Sequence, residues 1–376
     1  MDRAAAVRYN GVSCAGSFRV LPQPSVKRRS SIMRFDATTS PGLTRRAAMT
    51  GALATGPAIF SRNVFAQSVK ALILAEPVHN LGYAPVYLAA DQGLYKKRGL
   101  DVSVLTATNG AHVTALVSGQ VWGNIGGPES DAMANVGKAD PLITICNLVN
   151  RANVYLVARK GTGPKSTSDA DIAAFLKGKR FALSRYGGTP DLLGRWLTIK
   201  VGLNPQKDIV AINQADNAAV VAMMKNGAID LGVTQEPFIT AGIEQGLWDD
   251  PFYGFPSLGD YAYSVVSVRK STITQEPQVV QAFVDATIEA LRITAKDRGA
   301  VEAMTRKEFP TLPANGVKAT LDRAYADHLW SVDGMVSEQG YNLDMEVVNK
   351  SGSFTKHVPY ADVVDMQFVR KSLQKS

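Results

Sequence analysis

A chain of 376 residues with 45% hydrophobic content is long enough for two domains or one two-lobed domain, and its composition is neither disordered nor fibrous. The formal charge of +8 resides in residues 1 to 66, which hold ten basic and two acidic side chains; the other 31 basic and 31 acidic residues balance, which removes the electrostatic case for a nucleic-acid partner. Only Cys146 follows residue 66, so an internal disulfide and a cysteine metal cluster are excluded there.

The basic leader has the order of an export signal. Thr44, Arg45 and Arg46 precede the modestly apolar AAMTGALATGPAIF, and the small residues Val64 and Ala66 suit signal peptidase, leaving Gln67 first. Twin arginines in this setting look like a Tat signal, which carries folded proteins. The apolar segment is broken by Gly56 and Pro57 and falls short of the ~20 residues a membrane span needs. Cys14 lacks a convincing lipobox, and Met33 is read as the start, with residues 1–32 as an extension.

Lys70 to Leu74 is a short apolar strand, followed by the loop PVHNLGY and a helix over Ala84 to Gln92 that Gly93 closes. Leu100, Val102 and Val104 alternate with polar residues as a second strand, so the unit is a βαβ crossover with the loop Pro77 to Tyr83 at a strand's carboxyl end, where open α/β sheets bind ligands. A helix from Ala111 to Ser118 ends at Gly119. Asn124 to Gly126 leads into GGPESD, with Pro128 suited to a first helical position and Glu129, Ser130 and Asp131 in the first turn. Pro141 to Cys146 and Val154 to Ala158 are further strands; Cys146 reads as a buried small hydrophobe.

The Gly-, Pro- and Ser-rich RKGTGPKSTSDAD reads as the crossing to a second lobe. The expected division is 1–66 leader, 69–158 first lobe, 159–262 second lobe, and 263–376 return and carboxyl-terminal helices. In the second lobe a helix over Ile172 to Leu176, a strand over Arg180 to Ser184 and the loop RYGGT precede a helix with Thr189 as N-cap and Pro190 at its first position. Strand Ile209 to Ile212, helix Ala218 to Asn226 and strand Ile229 to Val233 follow. VTALVSGQVWGNIGGPE and VAMMKNGAIDLGVTQEP share one grammar, a weak sign of paired lobes. Strand Tyr263 to Val268 returns to the first lobe. Beyond Pro277 the chain is helical, with Val280, Phe283, Val284, Thr287, Ile288 and Leu291 on one face, helices near Ala300 to Phe309 and Gly316 to His328, and a last one over Tyr360 to Leu373.

Gly187, Gly188 and Thr189 form the best local candidate for ligand contact, because free N–H groups at a helix start make an anion site and Arg185 adds a full charge. An ordinary strand-to-helix turn is the competing reading; no P-loop or dinucleotide fingerprint is present. Glu236, at a strand end, can accept from an amine or aminopyrimidine, or can be solvated or paired with an inter-lobe arginine; Glu129 invites the same alternatives. Tyr83 and Tyr186 are loop-placed aromatics able to stack on a flat ligand. His79, His112, His328 and His357 lack metal-ligand spacing, and no GxSxG elbow supports nucleophilic catalysis.

APVYLAADQGLYKKRGLDV, VSGQ, GGPES, SRYGGTPDLLGRWLTIKVGLNP, AVVAMMKNGAIDLG, EPF and AGIEQGLW together resemble, in order and spacing, the periplasmic substrate-binding proteins of the nitrate, sulfonate, taurine and thiamine-precursor class of ABC importers. The resemblance runs from about Val69 to the carboxyl terminus. It implies an α/β, two-lobed type II periplasmic binding protein fold with a ligand cleft between lobes, and a monomeric receptor that hands a small polar or anionic organic ligand to an ABC permease with its cytoplasmic ATPase. Tat export would place it in the periplasm. It implies cleft-lining roles for Asn80, Leu81, Gly82 and Tyr83, for Gly127, Glu129 and Ser130, for Gly187, Gly188 and Thr189, and for Glu236; Arg185 and Tyr186 join them from the residue reading. No cofactor, metal or catalytic residue is expected. A thiamine-precursor pyrimidine or aromatic carboxylate remains an alternative ligand, and a periplasmic enzyme or a sensor remains an alternative role; the cysteine-rich motif of the related pyrimidine-making enzymes is missing. One departure stands out: Trp122 replaces the acid usual after SGQ, whereas Asp230 keeps the corresponding position in the second lobe.

Overall fold

The computed structural model describes residues 69–214 and 216–375. The Tat-type leader, Cys14, Met33 and the cleavage site at Ala66 lie outside the described residues.

β1 (Lys70–Glu76) enters a short 3-10 turn at Leu81–Tyr83 and then α1 (Ala84–Asp91), with Pro85 in the first turn and Gly93 at φ +65 just beyond its end. β2 (Leu100–Thr106), α2 (Ala111–Val117), β3 (Gly123–Gly126), α3 (Pro128–Ala134) and β4 (Leu142–Val149) complete the first run. The second run is β5 (Tyr155–Ala158), α4 (Asp169–Leu176), β6 (Arg180–Leu183), α5 (Thr189–Lys200), β7 (Val210–Asn213), α6 (Asn217–Lys225), β8 (Leu231–Thr234), α7 (Phe238–Glu244) and the short β9 (Tyr253–Gly254). β10 (Ser264–Arg269) is followed by α8 (Lys270–Gln275), α9 (Pro277–Lys296), α10 (Arg298–Glu308), α11 (Ala314–Ala326), α12 (Glu338–Lys350), α13 (Tyr360–Val363) and α14 (Gln367–Leu373).

Two five-stranded mixed sheets result, ordered β2-β1-β3-β10-β4 and β7-β6-β8-β5-β9. In each, three strands run parallel and the next is antiparallel: β1 pairs with β2 and β3, and β6 with β7 and β8, while β10 runs against β3 and β4, and β5 against β8 and β9. The carboxyl ends of the parallel strands carry the loops that build the site. β4 is buried at all eight positions, as a strand covered on both faces must be. The apolar stripe of α9 is buried at Val280, Phe283, Val284, Thr287, Ile288 and Leu291 and lies against α1, α10 and α14. Cys146 is buried and its thiol is pushed up to about 12 by burial and the nearby Asp333 carboxylate, so it is inert.

Three expectations are corrected. β5 belongs to the second sheet, so the chain crosses between residues 150 and 154, ahead of the Gly- and Ser-rich segment; the crossing is short, half-buried to buried, and contains neither Gly nor Pro to mark it. The helix expected over Tyr360 to Leu373 is two pieces, because Val364 turns extended to bridge Thr144 of β4. Gly188, not Thr189, occupies the N-cap of α5.

Gly242 in α7 is required by contact: a Cβ there would lie 1.9 Å from the ring of the buried Trp248, whose indole N–H donates to the Ile239 carbonyl at 2.9 Å. Gly242→Ala should therefore destabilise the fold by roughly 2 kcal/mol through overpacking. An unchanged urea midpoint would show that the helix yields without cost.

Candidate functional site

The carboxyl ends of both sheets meet at a cavity of about 110 Å³. From the first sheet come Pro77 and Val78 after β1, Tyr83, Asn109 and His112 after β2, and Gly126, Gly127 and Ser130 at the β3–α3 junction; Tyr263 and Ser264 open β10. From the second come Ser184 and Arg185 after β6, Gly188, Thr189 and Pro190 at the start of α5, Asp216 and Asn217 at the start of α6, and Gln235 after β8. α5 and α6 begin at the wall, where first-turn N–H groups have no acceptor within their own helix.

Direct bonds cross between the two halves of the wall. Thr189 Oγ1 donates to Glu129 Oε1 at 2.5 Å, and Asn80 Nδ2 donates to Gln235 Oε1 at 3.2 Å. Gln235 Nε2 donates to the Asn153 carbonyl at 2.5 Å and to the Tyr263 hydroxyl at 2.7 Å, while Asn217 Nδ2 reaches Gln235 Oε1 at 3.3 Å. Gln235 is thus the buried junction of both sheets.

Arg185 is the sole lysine or arginine among the described residues lining the cavity. Its guanidinium reaches toward the loop before α2, since a Cβ on Gly110 would lie 3.7 Å from it. Burial, and then the Arg185 charge, lower His112 to about 4, so at neutral pH His112 is an uncharged ring. Burial raises the Tyr83 and Tyr263 phenols, which stay neutral as well. Asp216 spends one oxygen on capping α6, accepting from the Ala219 N–H at 2.9 Å. Among the described residues the wall therefore offers one cation, Arg185, and one acidic side chain, Asp216, with neutral hydrogen-bonding side chains and two helix starts: a setting for a small polar solute whose anionic group meets Arg185.

The family model described as the NMT1-like family matches residues 77–306. The chain belongs to the NMT1-like family. Across this NMT1-like chain, YtlA of Bacillus subtilis (strain 168), named as a binding protein, is 27% identical over 308 residues, covering 79% of this chain and 88% of YtlA. Among solved structures, the periplasmic nitrate-binding protein NrtA from Synechocystis PCC 6803 aligns with a TM-score of 0.66 at 18% identity, over 82% of this chain and 89% of that one. The alkanesulfonate-binding protein SsuA from Xanthomonas axonopodis pv. citri, bound to MOPS, gives 0.61 at 17% identity, over 79% and 98%. The NMT1-like chain thus has the α/β periplasmic binding protein fold.

Of the residues singled out in the sequence, the structure brings Tyr83, Gly127, Ser130, Arg185, Gly188 and Thr189 to the cavity. Glu129 sits directly behind it, fully buried. Asn80 caps the 3-10 turn through the Gly82 N–H at 2.7 Å, Leu81 packs in the core, and the Gly82 carbonyl accepts from the Trp330 indole at 3.1 Å; these three support the wall without lining it. Tyr186 is 62% exposed, with the Arg195 guanidinium 5.0 Å from its ring centre. The Gly187 N–H is taken by Asp191 Oδ2 at 3.0 Å and the Gly188 N–H by the Arg185 carbonyl at 2.9 Å, so these amides do not form the free anion site that the sequence suggested.

Glu236 lies outside the cavity, in a separate small cleft with Arg323. Arg323 Nε donates to it at 2.8 Å, and the Thr240 hydroxyl and N–H each donate at 3.1 Å. Arg323→Ala leaves this largely buried carboxylate with neutral donors alone and should lower stability by about 2 kcal/mol, discounted for partial exposure. The check is a lower urea midpoint with solute affinity retained.

Trp122 and Asp230 both precede their strands, at the ends of β3 and β8 away from the cavity. Trp122 packs on Phe283 with ring centres 5.0 Å apart; Asp230 is held at about 2 by its bidentate Arg180 partner. The departure at Trp122 therefore leaves the pocket untouched. Sequence reasoning missed Asn109, His112, Asp216, Asn217, Gln235, Tyr263 and Ser264. Asp216 was findable, as an aspartate directly before a helix that follows a strand; Tyr263 was not, because it opens an antiparallel strand that carries no ligand-loop signal.

Proposed function

We propose that the chain is a periplasmic solute receptor, exported through its Tat-type leader, that binds a small polar or anionic organic molecule and delivers it to an ABC permease and its ATPase. One feature carries the reading: a polar cavity with a single cation, enclosed where the parallel strands of two similar sheets end and meet. In this reading each sheet is the centre of a lobe, opening admits the solute, and closure buries it; only a solute that favours the closed state drives closure. A cavity of about 110 Å³ suits a small solute, and its single cation favours one with an anionic group, such as taurine, a short alkanesulfonate or nitrate. The relatives named for nitrate and alkanesulfonate binding support the class.

The melting temperature of the full chain should rise with one member of a panel of sulfonates, nitrate, taurine, aminopyrimidines and aromatic acids. At ~100 times its dissociation constant a ligand stabilises by roughly 2.7 kcal/mol. Recovery of that compound unchanged supports a receptor; its consumption during incubation overturns the reading in favour of an enzyme.

A further inference from the structure

Glu129 has no opening onto the cavity, yet it ties the walls together. Its residue is fully buried; Oε1 accepts from Thr189 Oγ1 at 2.5 Å, and Ser130 Oγ adds a longer bond at 3.4 Å. On its other side Oε2 meets no N–H or O–H donor among the described residues; the group it interacts with there is the carboxyl of Asp344 in α12, also fully buried, whose Oδ1 accepts from the Tyr261 hydroxyl at 2.7 Å and whose Oδ2 likewise meets no donor. α12 packs directly on α5, so three separate stretches of chain meet at this pair. Space for it depends on Gly127, where a Cβ would fall 1.8 Å from Glu129 Oε2.

Two carboxyls hydrogen-bond each other only when one carries a proton. No lysine or arginine among the described residues makes an ion pair with either acid. The titratable groups acting on the pair are Asp131 from α3, the phenols of Tyr83, Tyr261 and Tyr263, and Tyr341 of α12, none of them cationic. Burial, then the Glu129 charge, raises Asp344 well above the usual carboxylate range, so Asp344 is the donor and Glu129 the acceptor.

We infer that Glu129 and Asp344 share one proton and, through Thr189, act as positioning residues that fix the start of α5 at the cavity wall, so that loss of the proton releases this wall. The inference does not depend on the solute. It is tested by amide hydrogen exchange across residues 188–196 of the full chain without solute, from roughly pH 6 to 10, corrected for the intrinsic pH dependence of exchange. In the wild type, protection should fall by about tenfold or more as pH rises, by the linkage that removes a native-state proton. Asp344→Asn keeps a donor toward Glu129 without a titrating proton and should hold protection level. Thr189→Ser should follow the wild type, and Thr189→Val should be low at every pH. Glu129→Gln/Asp344→Asn, in which one amide donates to the other's oxygen and neither side chain titrates, gives a second pH-insensitive variant should Asp344→Asn not fold. A level wild-type profile, or wild-type protection in Thr189→Val, overturns the inference, and neither result bears on whether the chain is a receptor.

Discussion

Arg185→Gln should lower the affinity for an anionic solute by about 100-fold, the loss of one charge-assisted hydrogen bond in a confined site. The size of the effect follows from isolation: no other lysine or arginine among the described lining residues can substitute, and His112, held at about 4, brings no charge at neutral pH. For the same reason His112 should add no step near pH 6.5 to the binding profile of the wild type, where an ordinary histidine would titrate. Isothermal titration with the solute that raises the melting temperature reads both. Full affinity in Arg185→Gln would remove the cation from the recognition chemistry, and a sigmoid centred near pH 6.5 would mean that His112 is charged when the solute is bound.

The second large effect concerns stability. Asp131, fully buried behind the cavity, accepts from Ser267 Oγ at 2.5 Å, and burial raises its carboxyl to about 7 despite that bond. A carboxyl of higher pKa in the folded than in the unfolded chain binds more protons when folded, so its contribution is complete below about pH 4 and is lost as pH rises through about 7. The loss amounts to up to ~4 kcal/mol by neutral to mildly alkaline pH. Asp131→Asn retains an acceptor for Ser267 and does not titrate. The unfolding free energy of the wild type relative to this variant should therefore decline across that window. Parallel curves would show that Asp131 is paired or solvated in a way its burial hides.

The elements most legible in the sequence were those whose pattern and punctuation agree. α1 was bounded by Pro85 and Gly93, and α9 by Pro277 and an apolar stripe with every expected position buried. The crossing between sheets was misplaced because it is short and buried, whereas the Gly- and Ser-rich segment that looked like a hinge is an exposed turn within the second run. α12 left no strong punctuation either, although Ser337 caps it by accepting from the Gly340 N–H at 2.8 Å. At the site, residues at parallel-strand ends were found by rule, including Gly127, Ser130, Arg185 and Thr189. The rule also gathered Glu236, whose position is right and whose direction is not: it faces Arg323 of α11, a partner nearly ninety positions away that no local pattern announces. Gln235, its neighbour, faces inward and joins the sheets.

Asp344 has a further consequence, in the order of synthesis. Every residue lining the cavity has been made once Ser264 leaves the ribosome, yet the acid that braces Glu129 is still to come in α12. A nascent chain can therefore hold all the contacts for its solute before it holds the brace that sets their spacing. The cavity therefore reaches its final spacing only in the finished chain, after α12 has folded onto α5.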